Sequence, residues 1–233
     1  MQFSGANEHV QSGHLTVKLD EEDRLHVLHP NQILAYKGHP SGREDRLMDI
    51  KGAYRKRRWI RSKISGPSEL LIGLPPACKL HVVPIEADST LLFDFRSVLF
   101  FSDGMLMQNR LQSFKHALIT KEWVRTKFTG PGYLGLLSTG FMESLELDED
   151  IPLYVDASCL LAYPEKAQLK LSVYGNTLAS QHMRVQWELK GTGPVLIQTG
   201  AATDPQLESQ LKQDGFIRRT LREVLPFGGV FIK

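Results

Sequence analysis

The feature that most constrains the fold of this chain is a segment that occurs twice. RWIRSKISGP, residues 58–67, matches EWVRTKFTGP, residues 122–131, and Trp, Arg, Lys, Gly and Pro are identical in the two copies. A weaker third copy, RVQWELKGTGP, spans residues 184–194, although its tryptophan is out of line when the first glycines are aligned. Segments that recur at a regular interval indicate similar units that bury a shared core.

A second landmark recurs in step with the first. The tetrapeptides ILAY (33–36), VLFF (98–101) and LLAY (160–163) each precede one of the three glycine turns. The gaps from the end of each tetrapeptide to its glycine are 30, 29 and 28 residues. The sequence therefore predicts three repeats of roughly 60 to 65 residues in an approximate threefold arrangement, with three sheets stacked in a row as the alternative.

Hydrophobic residues alternate with polar ones along most of the chain. LTVKL (15–19) places Leu15, Val17 and Leu19 on one face of a strand, and KLHVV near position 80, SLELD near position 145 and QLKLSVY (168–174) follow the same rule. A period of two between turn residues is typical of half-buried β-strands. Short strands separated by turns predict an all-β chain, as a sandwich, a barrel or a prism, instead of a parallel α/β sheet.

One helix is predicted, and it lies near the C-terminus. In TDPQLESQLKQDG (203–215), Asp204 is a candidate N-cap, Pro205 suits the first helical position and Gly215 can end the helix. PFGGVFIK then closes the chain as a predicted last strand. These boundaries predict a single domain over residues 1–233, divided into repeats of about 15–79, 80–144 and 145–202 and a C-terminal helix and strand over 203–233.

The bulk properties indicate an ordinary soluble protein. The 233 residues are 42% hydrophobic and 23% charged, and the formal net charge of +2 does not by itself indicate a nucleic-acid partner. No stretch of about 18 apolar residues and no signal-peptide core is present, so we expect a cytoplasmic protein without a transmembrane segment. The two cysteines, Cys78 and Cys159, form no C-x-x-C pair, and we expect reduced, buried thiols instead of a disulfide or a metal role.

GPGYLG, residues 130–135, matches the dinucleotide-binding fingerprint G-x-G-x-x-G. That fingerprint requires a helix that opens at the last glycine, because the helix N-terminus receives the pyrophosphate. The segment LGLLSTGFM, which follows, has neither a cap nor an amphipathic period. Gly66-Pro67 and Gly130-Pro131 are therefore interpreted as equivalent turns between strands, since Gly tolerates positive φ and Pro presets φ at about −65°.

The sequence contains no motif that supplies a catalytic or metal site. His26 and His29 form an H-x-x-H pair, which on a strand points to opposite faces, and H-x-H, G-x-S-x-G, P-loop and metalloprotease motifs are absent. A Ser, His and Asp set assembled from distant segments stays open as an alternative. We therefore expect no catalytic residues, no cofactor and no metal.

A basic stretch with interleaved aromatic residues is the strongest candidate for a functional surface. YRKRRWIRSK (54–63) could grip phosphates and stack a base, which would make a surface for nucleic acid or anionic lipid. Alternation instead places Ile60, Ser62 and Ile64 inside and the Trp, Arg and Lys side chains outside, as a solvated strand face or a contact surface for a protein partner or subunit. The predicted contact surface comprises Arg55, Lys56, Arg57, Arg58, Trp59, Arg61, Lys63, Trp123, Arg125 and Lys127.

Several segments together resemble one protein family. LHPNQILAYKG, the two W-x-R-x-K-x-x-G-P units, IPLYVDASCLLAY and LREVLPFGGVFIK are similar to the altered-inheritance-of-mitochondria protein 24 family, over residues 15–233. The resemblance implies an all-β fold like that of the tryptophan RNA-binding attenuator protein, with internal repeats in a pseudo-threefold arrangement. The mitochondrial members are tied to inner-membrane organisation, but no transit peptide is visible here, and the family supplies no catalytic residues to map.

These observations predict a non-enzymatic binding or scaffold protein that assembles with itself or with a protein partner. The repeats, the lack of a catalytic motif and the rows of Trp, Arg and Lys motivate this hypothesis. The alternative is a nucleic-acid-binding regulator that uses residues 55–63, and an enzyme with a dispersed site in a β cavity is a third hypothesis.

Overall fold

Strands dominate the computed structural model, which describes residues 1–4, 13–48, 59–111, 124–174 and 184–200. These residues contain nineteen strands and three short 3₁₀ turns, and no α-helix is found among them. The all-β prediction is therefore confirmed, whereas the predicted C-terminal helix and strand lie outside the described residues. The strands are β1 (Gln2–Ser4), β2 (His14–Leu19), β3 (Arg24–Val27), β4 (Ile33–Gly38), β5 (Arg43–Met48), β6 (Trp59–Ser65), β7 (Ser68–Gly73), β8 (Cys78–Ile85), β9 (Leu91–Asp94), β10 (Val98–Ser102), β11 (Leu106–Leu111), β12 (Val124–Thr129), β13 (Gly132–Thr139), β14 (Met142–Leu147), β15 (Leu153–Asp156), β16 (Leu160–Pro164), β17 (Gln168–Tyr174), β18 (Arg184–Lys190) and β19 (Gly193–Gln198).

The strands form four antiparallel sheets. The first sheet has the order β1-β2-β7-β4, and the fourth has the order β15-β18-β17. The second sheet has the order β5-β6-β3-β10-β13-β8, and the third has the order β11-β12-β9-β16-β19-β14. Each strand of the third sheet comes six strands later in the chain than its counterpart in the second. The strands β4-β7-β2 of the first sheet come six strands before β10-β13-β8, so they correspond to that half of the second sheet. The strands β17-β18-β15 of the fourth sheet come six strands after β11-β12-β9, so they correspond to the other half.

Two strand pairs join the halves of the large sheets. β3 pairs with β10 in the second sheet, and β9 pairs with β16 in the third. We call these pairs the first and second junctions. Each junction connects strands that lie more than 60 residues apart in sequence, so the large sheets are assembled by long-range pairing.

The tetrapeptides ILAY, VLFF and LLAY each lie in a strand with an irregular register. β4 pairs with β7, β10 with β13 and β16 with β19, and in each pair the register shifts after the first residue of the tetrapeptide. The extra residues are Leu34, Leu99 and Leu161. A bulge of this kind leaves a residue outside the regular ladder and increases the local twist.

The glycine segments are turns that carry the chain from one sheet to another. Gly66 and Pro67 connect β6 in the second sheet to β7 in the first, and Gly130 and Pro131 connect β12 in the third to β13 in the second. Gly191 begins the turn from β18 to β19. Gly130 has φ of +103°, a conformation in which side chains with a Cβ are strained. The prediction that these glycines turn the chain between strands is confirmed.

Three hydrophobic clusters fill the spaces between successive sheets. Leu15, Val17 and Leu19 of β2 pack with residues of the second sheet such as Ile64, which confirms their predicted common face. Between the second and third sheets lies a cluster rich in phenylalanine. Trp187 is the largest buried side chain of the cluster between the third and fourth sheets. Burial of a large apolar side chain contributes about 1.5–3 kcal/mol, so these clusters are the main source of stability.

Candidate functional site

The predicted contact surface is only partly described by the structure. Arg55, Lys56, Arg57, Arg58 and Trp123 lie outside the described residues. Trp59 opens β6, where its backbone pairs with Met48 of β5, and its side chain is also outside the described part.

The four remaining members of this surface are Arg61 and Lys63 on β6 and Arg125 and Lys127 on β12. β6 and β12 occupy equivalent places in the two large sheets, each next to a junction strand.

Arg125 is buried, and the prediction that it faces solvent is wrong. Its side chain is 1% exposed, and Nη1 donates to the carbonyl oxygens of Leu161 at 3.3 Å and Leu160 at 3.5 Å. The guanidinium also lies 5.3 Å from the ring centre of Tyr163. Leu161 is the extra residue of the bulge in β16, so the guanidinium donates to carbonyls at the bulge while it lies over an aromatic face.

Ile60 also differs from its predicted position, since it is 44% exposed instead of buried. β3 pairs with residues from Ser62 to Ser65 only, so the outer end of β6 extends past its neighbour. There Ile60 pairs with Leu47 of β5, which is exposed as well. Ser62 and Ile64, which do lie against β3, are buried as predicted.

Lys127 is bound to a carboxylate across the second junction. Nζ of Lys127 donates to Oε2 of Glu165 at 2.7 Å, and Nη2 of Arg110 donates to Oε1 of the same residue at 2.8 Å. The hydrogen bond from Lys127 is the largest influence on Glu165 and lowers the pKa of its carboxyl. Glu165 directly follows β16, so this ion pair connects β12 to a strand of the other half-sheet.

A similar ion cluster lies across the first junction. Nζ of Lys63 is 3.9 Å from Oδ1 of Asp103, Nη1 of Arg24 is 3.6 Å from Oδ2, and Nε2 of His26 shares a hydrogen bond of 2.8 Å with Oδ1. Burial alone would raise the pKa of Asp103, but the hydrogen bond from His26 and the nearby cations lower it overall. Asp103 follows β10 as Glu165 follows β16, so both junctions have an acidic residue facing a lysine.

His26 is the most enclosed member of this cluster. Its ring stacks on Phe101 across the first junction, with ring centres 4.7 Å apart and an interplanar angle of 26°. Desolvation is the largest influence and lowers the pKa of His26, with a smaller contribution from the positive charges of Arg61 and Lys63 and an opposing one from Asp103. His29 lies apart, beside Phe95, so the H-x-x-H pair does not converge on one site.

A cluster of metal ligands or a contact between a serine and a histidine could carry chemistry in the described residues. Over these parts of the chain, no three His, Cys, Asp or Glu side chains come together as metal ligands. A serine and a histidine do meet, because Oγ of Ser138 lies 2.8 Å from Nε2 of His81. The Ser138 hydroxyl also donates to the carbonyl oxygen of Gly140, and the residue is 1% exposed, so it helps to hold the end of β13.

The glycines of GPGYLG have structural roles. The chain continues after the turn as β13 instead of opening a helix. A Cβ on Gly135 would overlap the ring of Phe100, and one on Gly132 would overlap the Ser102 hydroxyl. Position 135 therefore requires glycine because the Phe100 ring of β10 lies against its backbone, whereas a residue other than glycine at position 132 would require the Ser102 and Met105 side chains to shift.

Two strands, β4 and β15, each lack a neighbour on one side among the described strands, whereas the strands equivalent to them are paired at the junctions. Among the described strands, β4 has a neighbour only on its β7 side, and β15 has one only on its β18 side. All five residues of β10 and of β16 are buried, whereas β4 is mostly exposed. Leu34 at the bulge of β4 is 64% exposed, while Leu99 and Leu161 in the same position are 0% and 3% exposed. Sheet edges with exposed apolar residues are sites where further strands pair.

No helix of the described residues is long and apolar enough to span a membrane. A family model described as mitochondrial biogenesis AIM24 matches residues 9–200. Among solved structures, the chain is similar to a protein of Streptococcus pyogenes, with a TM-score of 0.65 and 12% sequence identity over 91% of this chain and 98% of the other. At this identity the similarity concerns the fold alone. No curated protein matches the sequence.

Proposed function

The chain belongs to the mitochondrial biogenesis AIM24 family, and on that premise we propose that it is a cytoplasmic, non-enzymatic binding or scaffold protein that acts through self-assembly or a protein partner. The observation that carries this proposal is the edge of β4, which exposes apolar side chains where its counterparts β10 and β16 are buried by a neighbouring strand. The polar side chains of the junctions support it as well, since they are engaged in ion pairs between strands.

The architecture proposed for this function is a single domain of three similar units, over about 15–79, 80–144 and 145–202. Each unit would contribute six strands, and the equivalent strand orders of the two large sheets support this division. The matching bulges in β4, β10 and β16 support it too. A pseudo-threefold prism like that of the tryptophan RNA-binding attenuator protein would require a third junction, between β4 and β15, in addition to the two in the described part of the chain.

Size-exclusion chromatography with light scattering, together with a pull-down from native lysate at physiological salt, tests the proposal. We expect either a mass above that of one chain or a partner that is retained by the protein and absent from a bead control. A monomer that retains no partner at any concentration would contradict it.

Nucleic-acid binding is the second candidate, and it rests on Arg55, Lys56, Arg57 and Arg58. The described cations favour it less, because Lys63 and Lys127 face carboxylates and are 29% and 17% exposed. A nucleic-acid surface predicts affinity that falls steeply with salt and that decreases when Arg57 and Arg61 are both replaced by Ala. Absence of binding at low salt would rule it out.

A further inference from the structure

We propose that the first junction is a pH-sensitive contact, in which uptake of protons by His26 and His29 below neutral pH separates β3 from β10 while the second junction stays closed. Opening would uncover β10, whose five residues are all buried in the closed form. The inference goes beyond the proposed scaffold function, because it concerns the conformation of a single chain and needs no partner.

The ring of His26 is enclosed at the first junction. Its side chain is 9% exposed, and the ring stacks on Phe101 of the opposing strand β10. Nε2 lies 2.8 Å from Oδ1 of Asp103, whose lowered pKa keeps it a carboxylate, so Nε2 carries the proton of the neutral ring. Nδ1 is buried and has no hydrogen-bond partner among the described residues.

A second proton on His26 must bind at Nδ1, where the new N–H is buried without an acceptor. Such a donor loses its hydration and gains no hydrogen bond in return. The charged groups around the ring are Arg24 on its own strand, Arg61 and Lys63 on β6, and Asp103 after β10. Asp103 favours the imidazolium but is already shared with two of these cations. Protonation therefore favours a state in which β3 moves away from β10 and the ring meets water.

His29 makes a second contact of the same kind at the end of the junction. Its ring centre lies 6.5 Å from that of Phe95, which precedes β10. Nε2 of His29 is buried and has no hydrogen-bond partner in the described part of the chain. Desolvation lowers the pKa of His29, against the smaller opposing influence of the Arg96 and Val98 backbone and the Asp94 charge. Both histidines are therefore neutral in the closed form.

The second junction has no histidine at the equivalent positions. Leu92 corresponds to His26, because each is opposite the lysine of the neighbouring strand, and Phe95 corresponds to His29 three residues later. Each junction contains three registered residue pairs. The two contacts therefore differ in their titratable residues and not in the length of the ladder, so mild acid should act on the first junction alone.

His26 is placed to control this contact because it lies in the middle of a short ladder. The registered pairs are Val27 with Phe100, His26 with Phe101 and Leu25 with Ser102. On its other side β3 pairs with residues 62–65 of β6, so β3 keeps that neighbour when the junction opens. Short cooperative units of this kind open without unfolding of the whole domain.

The pH range follows from the direction of the pKa shifts. In the open form a histidine takes up its proton near the ordinary pKa of about 6.5, whereas the closed form resists protonation. The stabilisation of the closed junction is therefore complete above that value and is lost as the pH falls towards the folded pKa. Within this window the opening constant rises by about tenfold per pH unit for one histidine and about a hundredfold for two, up to a total set by the pKa differences.

Hydrogen exchange of the full chain, measured by mass spectrometry, tests where the opening occurs. Peptides that cover residues 24–28 and 98–103 report on the first junction, and peptides that cover 91–94 and 160–164 report on the second. The intrinsic effect of pH on exchange cancels in the ratio of the two rates, because both are measured in one sample. We expect this ratio to rise by about tenfold between pH 7 and pH 5.

Two substitutions give the first junction the residues of the second. His26→Leu and His29→Phe introduce the counterparts Leu92 and Phe95, so they add no polar group to the contact. We expect each single variant to reduce the pH dependence of the exchange ratio and the double variant to abolish it. His14→Leu is the matched control, since His14 is an exposed residue of β2, and it should leave the pH dependence unchanged.

An NMR titration of the wild-type histidine rings keeps the test decisive if a variant fails to fold. The midpoints of His26 and His29 in the folded protein are compared with those of the same chain unfolded in urea. We expect both histidines to take up their protons at lower pH in the folded protein. Equal midpoints in the two states would contradict the inference, because protonation would then not be coupled to opening.

Three exchange results would also overturn the inference. Equal acceleration at both junctions would show that acid loosens the whole domain. A ratio that does not change with pH would show that the histidines do not control the first junction. A ratio that stays pH-dependent in the double variant would show that another titrating group opens it. The scaffold proposal stands in all three cases, because it does not depend on this opening.

Discussion

Nζ of Lys127 donates a hydrogen bond of 2.7 Å to Oε2 of Glu165, a residue 38 positions further along the chain. The bond crosses the second junction and ties β12 to the end of β16, while Lys63 and Asp103 face each other at the first junction. Residues that alternation predicts to be a solvated cationic row are therefore used to connect halves of the large sheets.

Replacement of Lys127 by Met should destabilise the protein by about 1 kcal/mol, because a charge-assisted hydrogen bond at a half-buried site is lost. Urea denaturation monitored by circular dichroism would measure this change in the free energy of unfolding. Lys166→Met is the control, since that side chain is exposed. Equal effects of the two substitutions would show that the ion pair contributes nothing to the second junction.

Arg125→Met should cost more, about 2–3 kcal/mol, because it leaves the buried carbonyls of Leu160 and Leu161 without their donor. Arg61→Met provides the comparison, since Arg61 holds the equivalent place on β6 and is only half-buried. We expect the urea midpoint to fall for Arg125→Met with an unchanged m-value. A loss no greater than that of Arg61→Met would argue against a structural role for the buried guanidinium.

Stability should fall as the pH is lowered from 7 to 5, in part because of His26. Its folded pKa is lowered, chiefly by desolvation, so the unfolded chain takes up a proton first, near its ordinary pKa of about 6.5. The contribution of His26 is therefore complete above that value and is lost between the unfolded and the folded pKa. Thermal melts over this range would measure the slope.

His26→Leu isolates this contribution, since Leu92 occupies the equivalent position at the second junction. We expect a smaller slope between pH 7 and 5 for the variant. The carboxyls of Asp103 and Glu165 have lowered pKa values, so their contributions are lost only at more acidic pH, as the pH falls through those values. An unchanged slope for His26→Leu would mean that another group causes the dependence.

Gly135→Ala should be strongly destabilising, by about 1–3 kcal/mol, because the added methyl group meets the ring of Phe100 in the packed core. Gly13→Ala is the matched control, since a Cβ there has open space around it. Chemical denaturation of the two variants would separate the packing effect from the general effect of replacing glycine. If Gly135→Ala were tolerated as well as Gly13→Ala, the close approach of β10 and β13 would be contradicted.

Local patterns in the sequence predict the strands and turns well, and the reason is that both depend on neighbouring residues. The alternation of Leu15, Val17 and Leu19 reports a sheet face, and Gly130 reports a turn with positive φ. The burial of Arg125 was not predictable in this way, because its carbonyl acceptors belong to a strand about 35 residues later. Alternation assigns Arg125 to the outer face of β12, and nothing in the local sequence indicates that the bulged strand β16 will cover it.

The exposure of the β4 edge also could not be predicted from the local sequence. ILAY closely resembles LLAY and VLFF, yet β4 is mostly exposed while β10 and β16 are buried. The difference arises from the presence of β3 and β9 beside the latter two, which is a property of sheet order and not of the tetrapeptide. The likeness of the three segments nevertheless contained the signal, since a strand so similar to two buried strands suggests a similar need for a neighbour.

The mass of the unmodified protein in solution tests the central claim most directly, and light scattering over a dilution series would measure it. One chain has a mass of 26.3 kDa. If the protein is a scaffold that assembles through its sheet edges, the mass should be a multiple of this value at high concentration, should decrease on dilution and should persist at high salt. A constant mass of 26.3 kDa, with no protein partner retained from lysate, would contradict the account.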